Sequence, residues 1–464
     1  MTSPSKGPAA REPQTSRALA RAVLERVELS GAFANRALSA ALDRAPTLGA
    51  AERGLATELV YGVLRRRARL DRALEAFAKK GLSGLEPNVR TALRLGAYQL
   101  LFLDRVPAYA AVNETVEACK RLGGPGVGRL ANALLRRVAE RGEPPLPDPA
   151  RDPRGHLVEA AGLPAWLARL LLAELPVADA LAFGDAVGVP APLALRANTL
   201  RASREAVLGR LRAERPAARV EASAVAPDAL LARDLDAPAA TAAWREGLLS
   251  VEDTGAQVVV ELCGARAGEL ILDACAGLGG KSAHLAALAA NGARIEALDL
   301  APAKLSEARM AFERLGVAGV TTAVADLTRP FAEAGARFDR VLLDAPCSGL
   351  GVLRRHPEAL TRRTAEDLPR LAEQQGRMLD TLAPLVVPGG VLTYSVCTFD
   401  RVECEDVVEA FLRGHADFRV EPPPAGPRVP WARLTDGAGF VRTWPYRDDA
   451  DAFFAARLVR LPRS

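Results

Sequence analysis

The segment LILDACAGLGGKS, residues 270–282, decides the fold of the C-terminal half of the chain. A short apolar run ends in an aspartate and is followed by a glycine-rich turn and a helical pattern. Further apolar runs of this kind alternate with helical segments at 295–298, 320–324, 340–343 and 391–394. Strand and helix alternating at this spacing predict an α/β Rossmann-like, doubly wound domain with a parallel sheet over residues 251–464.

Four of these predicted strands end at or just before an acidic residue. The residues are Asp273, Asp299, Asp326 and Asp344. Ligands of doubly wound sheets bind beyond the carboxyl ends of the strands, so the four carboxylates are expected to share one site. Any single one of them could be a helix cap or a strand-end turn, but four in succession favour a binding site.

The glycine-rich turn is compatible with three ligand classes. A dinucleotide turn needs glycine where Ser282 stands, and a P-loop needs glycine where Cys275 stands, although Gly280, Lys281 and Ser282 fit a P-loop. An NTPase therefore stays an alternative, with the strand ending at Asp344 as its Mg²⁺-binding strand. The carboxylate of Asp273 would repel a polyphosphate, which favours the cationic cofactor S-adenosylmethionine.

The other acids have expected roles around such a cofactor. Asp299 is placed to accept hydrogen bonds from the ribose hydroxyls, and Asp326 to accept one from the adenine amine.

Two further strand-end loops each carry a cysteine. DAPCSGLG, residues 344–351, contains Cys347, and TYSVCTF, residues 393–399, contains Cys397. Two thiols beside a methyl donor suggest covalent catalysis: a thiolate that attacks carbon-6 of cytosine makes carbon-5 nucleophilic. Asp344 is expected to stabilise this addition at ring N3. The spacing does not decide which cysteine attacks.

The N-terminal third is basic and predicted to be helical. Residues 1–143 contain 24 Lys and Arg against 14 Asp and Glu, a net charge of +10, and the rest of the chain carries −5. Leu59, Val60 and Val63 in one segment, and Leu93 and Ala97 in another, repeat at helical spacing. An all-α, RNA-binding domain is expected, and a merely solvated basic face is the alternative.

Composition divides the 464 residues into five parts. We predict a disordered tail (1–14), the helical domain (15–142), a proline-rich linker (143–155), a small α+β RNA-binding module (156–250) and the α/β domain (251–464). The six cysteines form no C-x-x-C pair, which indicates neither a disulfide framework nor a metal site and favours the cytoplasm. No signal peptide and no membrane segment are expected.

The motifs DACAGLGGK, DAPCSGLGVLRRHPE, YSVCT and DAFFAARL together resemble the RNA 5-methylcytosine methyltransferases of the RsmB/Nop2 (Sun) family. The resemblance implies that Cys397 is the nucleophile and that Cys347 assists its release. It also implies that S-adenosylmethionine is bound by residues of the turn and by three acids: Cys275, Ala276, Gly277, Leu278, Gly279, Gly280, Lys281, Asp299, Asp326 and Asp344.

Upstream, LATELVYGVLRR (55–66) and LRLGAYQLLFLDRVPAYAAVNETVE (93–117) look like the helical NusB domain. Within this family such a domain is typical of RsmB enzymes, which methylate one cytosine of small-subunit 16S ribosomal RNA. The resemblance thus implies an enzyme that acts on 16S RNA or a small-subunit assembly intermediate. We expect a monomer. A 5-methylcytosine methyltransferase of another RNA and a non-enzymatic ribosome-assembly protein are the alternatives.

Some residues depart from the family pattern or lie next to its motifs. The loop within DAPCSGLG, residues 344–351, is called the Pro-Cys loop after Pro346 and Cys347. Arg354, Arg355 and His356 follow it and are predicted to hold RNA phosphate, with a solvated loop as the alternative. Glu252 replaces a common glutamine and is expected to place a charge near the RNA or cofactor entrance. Other departures occur at Leu278, Leu360, Val396 and Cys404.

Overall fold

The computed structural model describes residues 15–235, 237–329, 338–424, 426 and 428–462. The chain divides into two compact units. One comprises Met1–Val189 together with Leu353–Arg362, and the other comprises Pro190–Val352 and Arg363–Ser464. The tail predicted to be disordered, residues 1–14, lies outside the described residues.

The first unit is helical throughout its described elements. Its α-helices are α1 (Ser16–Ser30), α2 (Ala34–Asp43), α3 (Ala50–Arg65), α4 (Arg67–Glu75), α5 (Pro87–Phe102), α6 (Ala108–Arg141), α7 (Pro153–Glu159), α8 (Ala165–Glu174) and α9 (Val177–Val187). α6 is broken at Gly124, which has φ 80° and precedes Pro125, so it consists of two helical segments. The predicted apolar stripes are confirmed, since Leu59, Val60 and Leu93 are fully buried in the core of this unit.

The proline-rich stretch packs against the helical unit. Arg69 pairs with Glu143, and Arg72 donates to the carbonyl oxygens of Pro144 at 3.0 Å and Pro145 at 2.6 Å. Arg72 also pairs with Glu159 in α7. By their contacts, residues 156–189 group with the helical unit, whereas the sequence assigns them to the small α+β module that follows a linker at 143–155.

A ten-residue segment from far along the chain completes this unit. Leu353–Arg362 includes a 3₁₀ helix at Pro357–Thr361. The carboxylate of Glu358 accepts a hydrogen bond from the backbone N–H of Ala34 at 3.2 Å. Arg362 donates to the carbonyl oxygen of Ala32 and stacks over the Phe33 ring at 5.5 Å. The chain thus leaves the second unit after the Pro-Cys loop and returns to it at residue 363.

The second unit begins with a small antiparallel sheet. Its strands are β1 (Leu193–Ala197), β2 (Arg219–Ala222), β3 (Ala229–Arg233) and β4 (Leu249–Val251), in the order β2-β3-β1-β4. Helices α10 (Arg204–Glu214) and α11 (Ala242–Arg245) belong to this part, and Leu195, Val207, Leu211 and Leu249 form its core. This is the mixed α+β composition that the sequence predicts for the middle of the chain.

The rest of the second unit is built on a larger sheet. Its strands are β5 (Leu270–Asp273), β6 (Arg294–Asp299), β7 (Val320–Val324), β8 (Phe338–Asp344), β9 (Val386–Val396), β10 (Phe418–Val420), β11 (Val441–Thr443) and β12 (Phe453–Arg460). The helices are α12 (Thr254–Cys263), α13 (Gly280–Leu288), α14 (Pro302–Leu315), α15 (Asp367–Leu382), α16 (Glu405–Gly414), α17 (Trp431–Leu434) and α18 (Pro445–Asp448).

The order β10-β12-β9-β8-β5-β6-β7 confirms the doubly wound sheet, in which β5 to β9 are parallel. The sheet is mixed, because β12 pairs antiparallel with β9, β10 and β11. The strands β10, β11 and β12 were not predicted from the sequence. β10 and β11 have only three residues each, and their pairing partner is β12, so a local pattern does not define them.

In the part of the chain that the structure describes, no helix has both the length and the apolar composition needed to cross a membrane.

Candidate active site

The predicted acids meet at one edge of the large sheet. Asp273, Asp299 and Asp344 are the last residues of β5, β6 and β8, and Asp326 lies two residues beyond β7. Since these strands are parallel neighbours in the order β8-β5-β6-β7, their carboxyl ends lie side by side.

The glycine turn connects β5 to α13 and is held against β6. Asp299 accepts a hydrogen bond from the backbone N–H of Gly277 at 3.0 Å and one from Ala301 at 2.8 Å. Gly279 has φ +79°, and a Cβ there would lie 2.7 Å from the Phe312 ring, so this position requires glycine. Because a carboxylate already binds an amide of the turn, the turn is unsuited to the polyphosphate of an NTPase.

Asp273 is fully buried beneath the turn. Its Oδ2 accepts a hydrogen bond from the Ser282 hydroxyl at 2.6 Å, while its Oδ1 has no partner among the described residues. Burial raises the pKa of Asp273 to about 6. An unpartnered buried acceptor below an open turn is suited to a ligand that donates hydrogen bonds.

Lys281 and Asp344 form an ion pair between the turn and the Pro-Cys loop. The Lys281 Nζ lies 2.6 Å from Asp344 Oδ2, and Ser395 in β9 donates to Asp344 Oδ1 at 2.9 Å. Although burial opposes it, the Asp344 carboxylate raises the pKa of Lys281 above its usual value, so the ammonium stays charged. Asp344 is thereby fixed at the edge where both thiols lie.

The two thiols face each other. Asp344 and Ser395 are in register in the parallel pair β8 and β9, and Cys347 and Cys397 follow them by three and two residues. Their Sγ atoms lie 3.3 Å apart, and both side chains are half-buried. The hydrogen bond with Cys397, reinforced by burial, raises the pKa of the Cys347 thiol well above its usual range.

Gly351 links the two loops directly. Its N–H donates to the carbonyl oxygen of Cys397 at 3.0 Å, and its own carbonyl accepts from Ala452 at 3.0 Å. A Cβ at this position would lie 1.9 Å from the Ala452 carbonyl oxygen. This close backbone approach admits only glycine.

A buried polar network beneath the thiols escaped the sequence-based prediction. It consists of Ser348, Gln375, Tyr394, Thr398, Asp400 and Glu403. Ser348 and Thr398 adjoin the two cysteines in sequence, and this adjacency was the available signal for them. Gln375 lies in α15 and Glu403 just before α16, and neither belongs to a motif that points to the thiols.

The predicted RNA-contacting residues lie in the segment that belongs to the helical unit. Arg354 is buried and Arg355 is half-buried. His356 is half-buried, 3.4 Å from the Glu358 carboxylate and edge-on to the Phe33 ring. Their contact with phosphate stays a prediction, and the burial of Arg354 makes Arg355 and His356 the more accessible two.

Glu252 corrects one expectation. It is buried rather than placed at an entrance, and its Oε2 accepts a hydrogen bond from Arg196 at 2.7 Å. His284 lies 3.5 Å away on its other side. Although burial opposes ionisation, these two partners lower the pKa of Glu252. The negative charge of Glu252 is therefore neutralised by buried partners.

The other departures from the family pattern are Leu360, Val396 and Cys404, which are buried, and Leu278, which is exposed.

No metal is expected from the sequence. Among the described residues, Asp228, Glu261 and His284 form a buried group whose possible ligand atoms all lie within 4.8 Å of one another. Arg428 donates to Asp228 at 3.3 Å and to Glu261 at 2.9 Å, so a guanidinium already supplies positive charge to both carboxylates.

Comparison with known proteins identifies three segments. Residues 261–459 match the 16S rRNA methyltransferase RsmB/F family, residues 14–140 match the NusB family, and residues 163–236 match the RsmF/B-like ferredoxin-like domain.

Relatives match nearly the whole chain. It is 36% identical to "Probable ribosomal RNA small subunit methyltransferase B" of Bacillus subtilis, over 87% of this chain and 89% of that protein. It is 34% identical to "Ribosomal RNA small subunit methyltransferase B" of Pseudomonas putida, over 94% and 96%. The crystal structure of the protein PH0851, 24% identical, has the same fold with a TM-score of 0.80, covering 97% of this chain and all of that one.

The fold and these matches define a methyltransferase domain preceded by a NusB-like helical domain. The chain belongs to the RsmB/F family of 16S rRNA methyltransferases.

Proposed function

We propose that this protein methylates carbon-5 of a cytosine in 16S ribosomal RNA through a covalent adduct with Cys397. The observation that carries the proposal is the pair of facing sulfur atoms, 3.3 Å apart, at the sheet edge that also holds Asp344 and the glycine turn. One thiol at this edge can add to carbon-6, and a second thiol 3.3 Å away can assist its later release.

The residues of the turn fit S-adenosylmethionine as the cofactor. Gly277 and Gly280 have open space where a Cβ would stand, and Asp273 offers a buried acceptor without a partner in the described chain. Asp299 and Asp326 would accept from the ribose hydroxyls and the adenine amine. When bound, S-adenosylmethionine would supply the methyl group to carbon-5 and leave as S-adenosylhomocysteine.

The side chains of this edge account for the remaining steps. The Cys397 thiolate forms a bond to carbon-6, and the carbon-5–carbon-6 electron pair moves to carbon-5. The ring gains a proton at N3, which balances the proton lost by the thiol, and this N3–H donates to the Asp344 carboxylate. After methylation a base removes the carbon-5 proton, the double bond re-forms, N3 returns its proton to solvent, and Cys397 leaves as a thiolate, which accepts a hydrogen bond from the Cys347 thiol.

Replacement of each thiol tests this order. Cys397→Ala should give neither methylated RNA nor adduct, because the ring is never activated. Cys347→Ala should methylate but release slowly, so that a denaturation-resistant RNA–protein band accumulates on a gel. The double variant should lack the band, and Cys119→Ala, which removes a buried thiol of the helical unit, should behave as the wild type. A band with Cys397→Ala and none with Cys347→Ala would reverse the assigned roles.

Ribosomal RNA is proposed as the substrate because relatives that match most of the chain are named small-subunit methyltransferases. We propose that the protein acts as a monomer in the cytoplasm, on 16S RNA or an assembling small subunit. Bisulfite sequencing of ribosomal RNA from a deletion strain should show one 16S cytosine that has lost its methyl group. A complete 16S pattern would refute the substrate.

The helical unit is proposed to bind RNA through its basic surface. Five arginines on α6 are exposed: Arg121, Arg129, Arg136, Arg137 and Arg141. Binding through phosphate should weaken steeply with salt. Replacing Arg136 and Arg137 by Ala should reduce the slope of log affinity against log salt by about 1 to 2. An unchanged slope would make the charge of this unit a solubility feature.

A further inference from the structure

Glu403 is a buried carboxylate directly below the Pro-Cys loop. Its side chain accepts hydrogen bonds from the backbone N–H of Ser348, the residue after Cys347, at 2.9 and 3.2 Å. A third bond comes from the Gln375 side-chain amide at 2.8 Å. The residue has no exposed surface.

Gln375 extends this hold to the other side of Cys347. Its Nε2 also donates to the carbonyl oxygen of Pro346 at 3.0 Å, and its Oε1 accepts from the Tyr394 hydroxyl at 3.0 Å. The backbone on both sides of Cys347 is therefore tied to one amide–carboxylate pair. Arg363 adds a bond to the carbonyl oxygen of Ser348 at 2.9 Å.

The charge of Glu403 is not neutralised by its hydrogen-bond partners, which are a backbone N–H and a neutral amide. Burial and the nearby Asp400 raise the pKa of Glu403 to about 7. Once ionised, Glu403 opposes ionisation of Cys347, as do the neighbouring Cys397 and Asp344. Together these groups favour the neutral thiol form of Cys347, while the Arg363 guanidinium, which donates to the Cys347 carbonyl oxygen at 3.4 Å, is a positive charge beside the loop.

We propose that Glu403 is a positioning residue that holds the Pro-Cys loop in place and keeps Cys347 a thiol while Cys397 reacts as a thiolate. The inference rests on the proposed function, which assigns attack to Cys397 and assistance of its release to Cys347. A neutral Cys347 can donate an S–H hydrogen bond to the departing Cys397 sulfur, whereas two thiolates 3.3 Å apart would repel each other.

Cys347 alkylation measures the effect without any RNA. In the Cys397→Ala background, iodoacetamide labelling of Cys347 is followed by peptide mass spectrometry as a function of pH. Adding Glu403→Gln should move the midpoint down by about 1 pH unit, because a like charge is removed. Glu403→Asp keeps the charge and should leave the midpoint near that of the background protein.

Glu405→Gln is the matched control. Glu405 lies two residues away and pairs with Arg442, not with the loop. Its replacement should leave the midpoint unchanged. A midpoint that is the same with and without Glu403→Gln, in protein that melts normally, would overturn the proposal.

A second variant covers the case in which Glu403→Gln does not fold. Gln375→Met removes the amide that ties Glu403 to Pro346. Labelling of Cys347 should become at least several-fold faster at one pH because the loop is released. An unchanged rate in folded Gln375→Met protein would contradict the positioning role.

Methyl transfer separates this inference from the proposed function. In the protein with both thiols, Glu403→Gln should lower kcat and leave KM for RNA unchanged. The pH above which release of methylated RNA slows should be about 1 unit lower than in the wild type. If no RNA is methylated but the labelling midpoint still moves, only the proposed function fails. If methylation is normal and neither measurement moves, only the role of Glu403 fails.

Discussion

The glycine turn and the Pro-Cys loop lie at the same sheet edge but are held by different parts of the chain. The turn is fixed by Asp299 and Ser282, which lie within the same β5–α13–β6 unit. The Pro-Cys loop is fixed by Gln375 and Glu403, about 30 and 55 residues further along. The motif of the glycine turn therefore contains the residues that hold it, whereas the Pro-Cys loop is held by residues outside its own motif.

The largest effect is expected where the two thiol loops touch. Gly351→Ala places a Cβ 1.9 Å from the Ala452 carbonyl oxygen and should lower the free energy of unfolding by at least about 3 kcal/mol. Gly376→Ala in α15, where a Cβ meets nothing within 4 Å, should instead raise it by about 0.5–1 kcal/mol. Denaturant unfolding measures both. Equal stabilities would mean that the backbones do not approach so closely.

In the turn, the largest effect should come from Asp299. Asp299→Ala removes the acceptor for the Gly277 N–H and the proposed acceptor for the ribose hydroxyls, so S-adenosylmethionine affinity should fall about 10- to 100-fold. Isothermal titration calorimetry measures the affinity. An unchanged value would break the comparison, because the turn would then not depend on its local supports.

A pH-dependent contribution to stability is expected from Glu403, in addition to that of Asp273 beneath the turn, whose pKa burial also raises. The pKa of Glu403 is about 7 in the folded protein and has an ordinary value of 4.5, so the folded state holds this proton more tightly. Its contribution is therefore most favourable below pH 4.5, is lost as pH rises to about 7, and is constant above that. The stability of the wild type minus that of Glu403→Gln should fall across this window by on the order of 1–3 kcal/mol. If this difference in stability does not change with pH, burial does not raise the pKa of Glu403.

The smallest effect is expected at Asp326. Its side chain is partly exposed and accepts from Thr328, two residues away, and these hydrogen bonds lower its pKa. Asp326→Ala should weaken S-adenosylmethionine by less than about fivefold, because water can replace an exposed acceptor. A loss of affinity as large as that of Asp299→Ala would mean that Asp326 is shielded from water when the cofactor is bound.

The sequence predicts the parallel strands and the acids because each strand shows an apolar run that ends at the ligand-binding edge. The proximity of Cys347 and Cys397 also follows once β8 and β9 are neighbours, since both cysteines leave that edge within three residues. These features are local and depend only on strand order.

Features that arise from packing were not predicted. Glu252 was expected near an entrance, but its buried partner Arg196 lies 56 residues away in β1. Gln375 and Glu403 look like ordinary residues near the ends of helices, and only tertiary packing brings them beneath the thiols. The contacts of the stretch 143–155 were not predicted either, because its composition suggests a free linker while Arg69 and Arg72 bind it.

The path of residues 353–362 limits how the two units can be exchanged between proteins. A single cut at residue 190 would leave this segment on the C-terminal fragment, while its packing partners would be on the other. The buried Leu353 and Leu360 and the Glu358 carboxylate would then meet water without their helices. A chimera that replaces the helical unit must therefore replace this internal ten-residue stretch as well, and the helical unit is not an independent cassette despite forming the N-terminus.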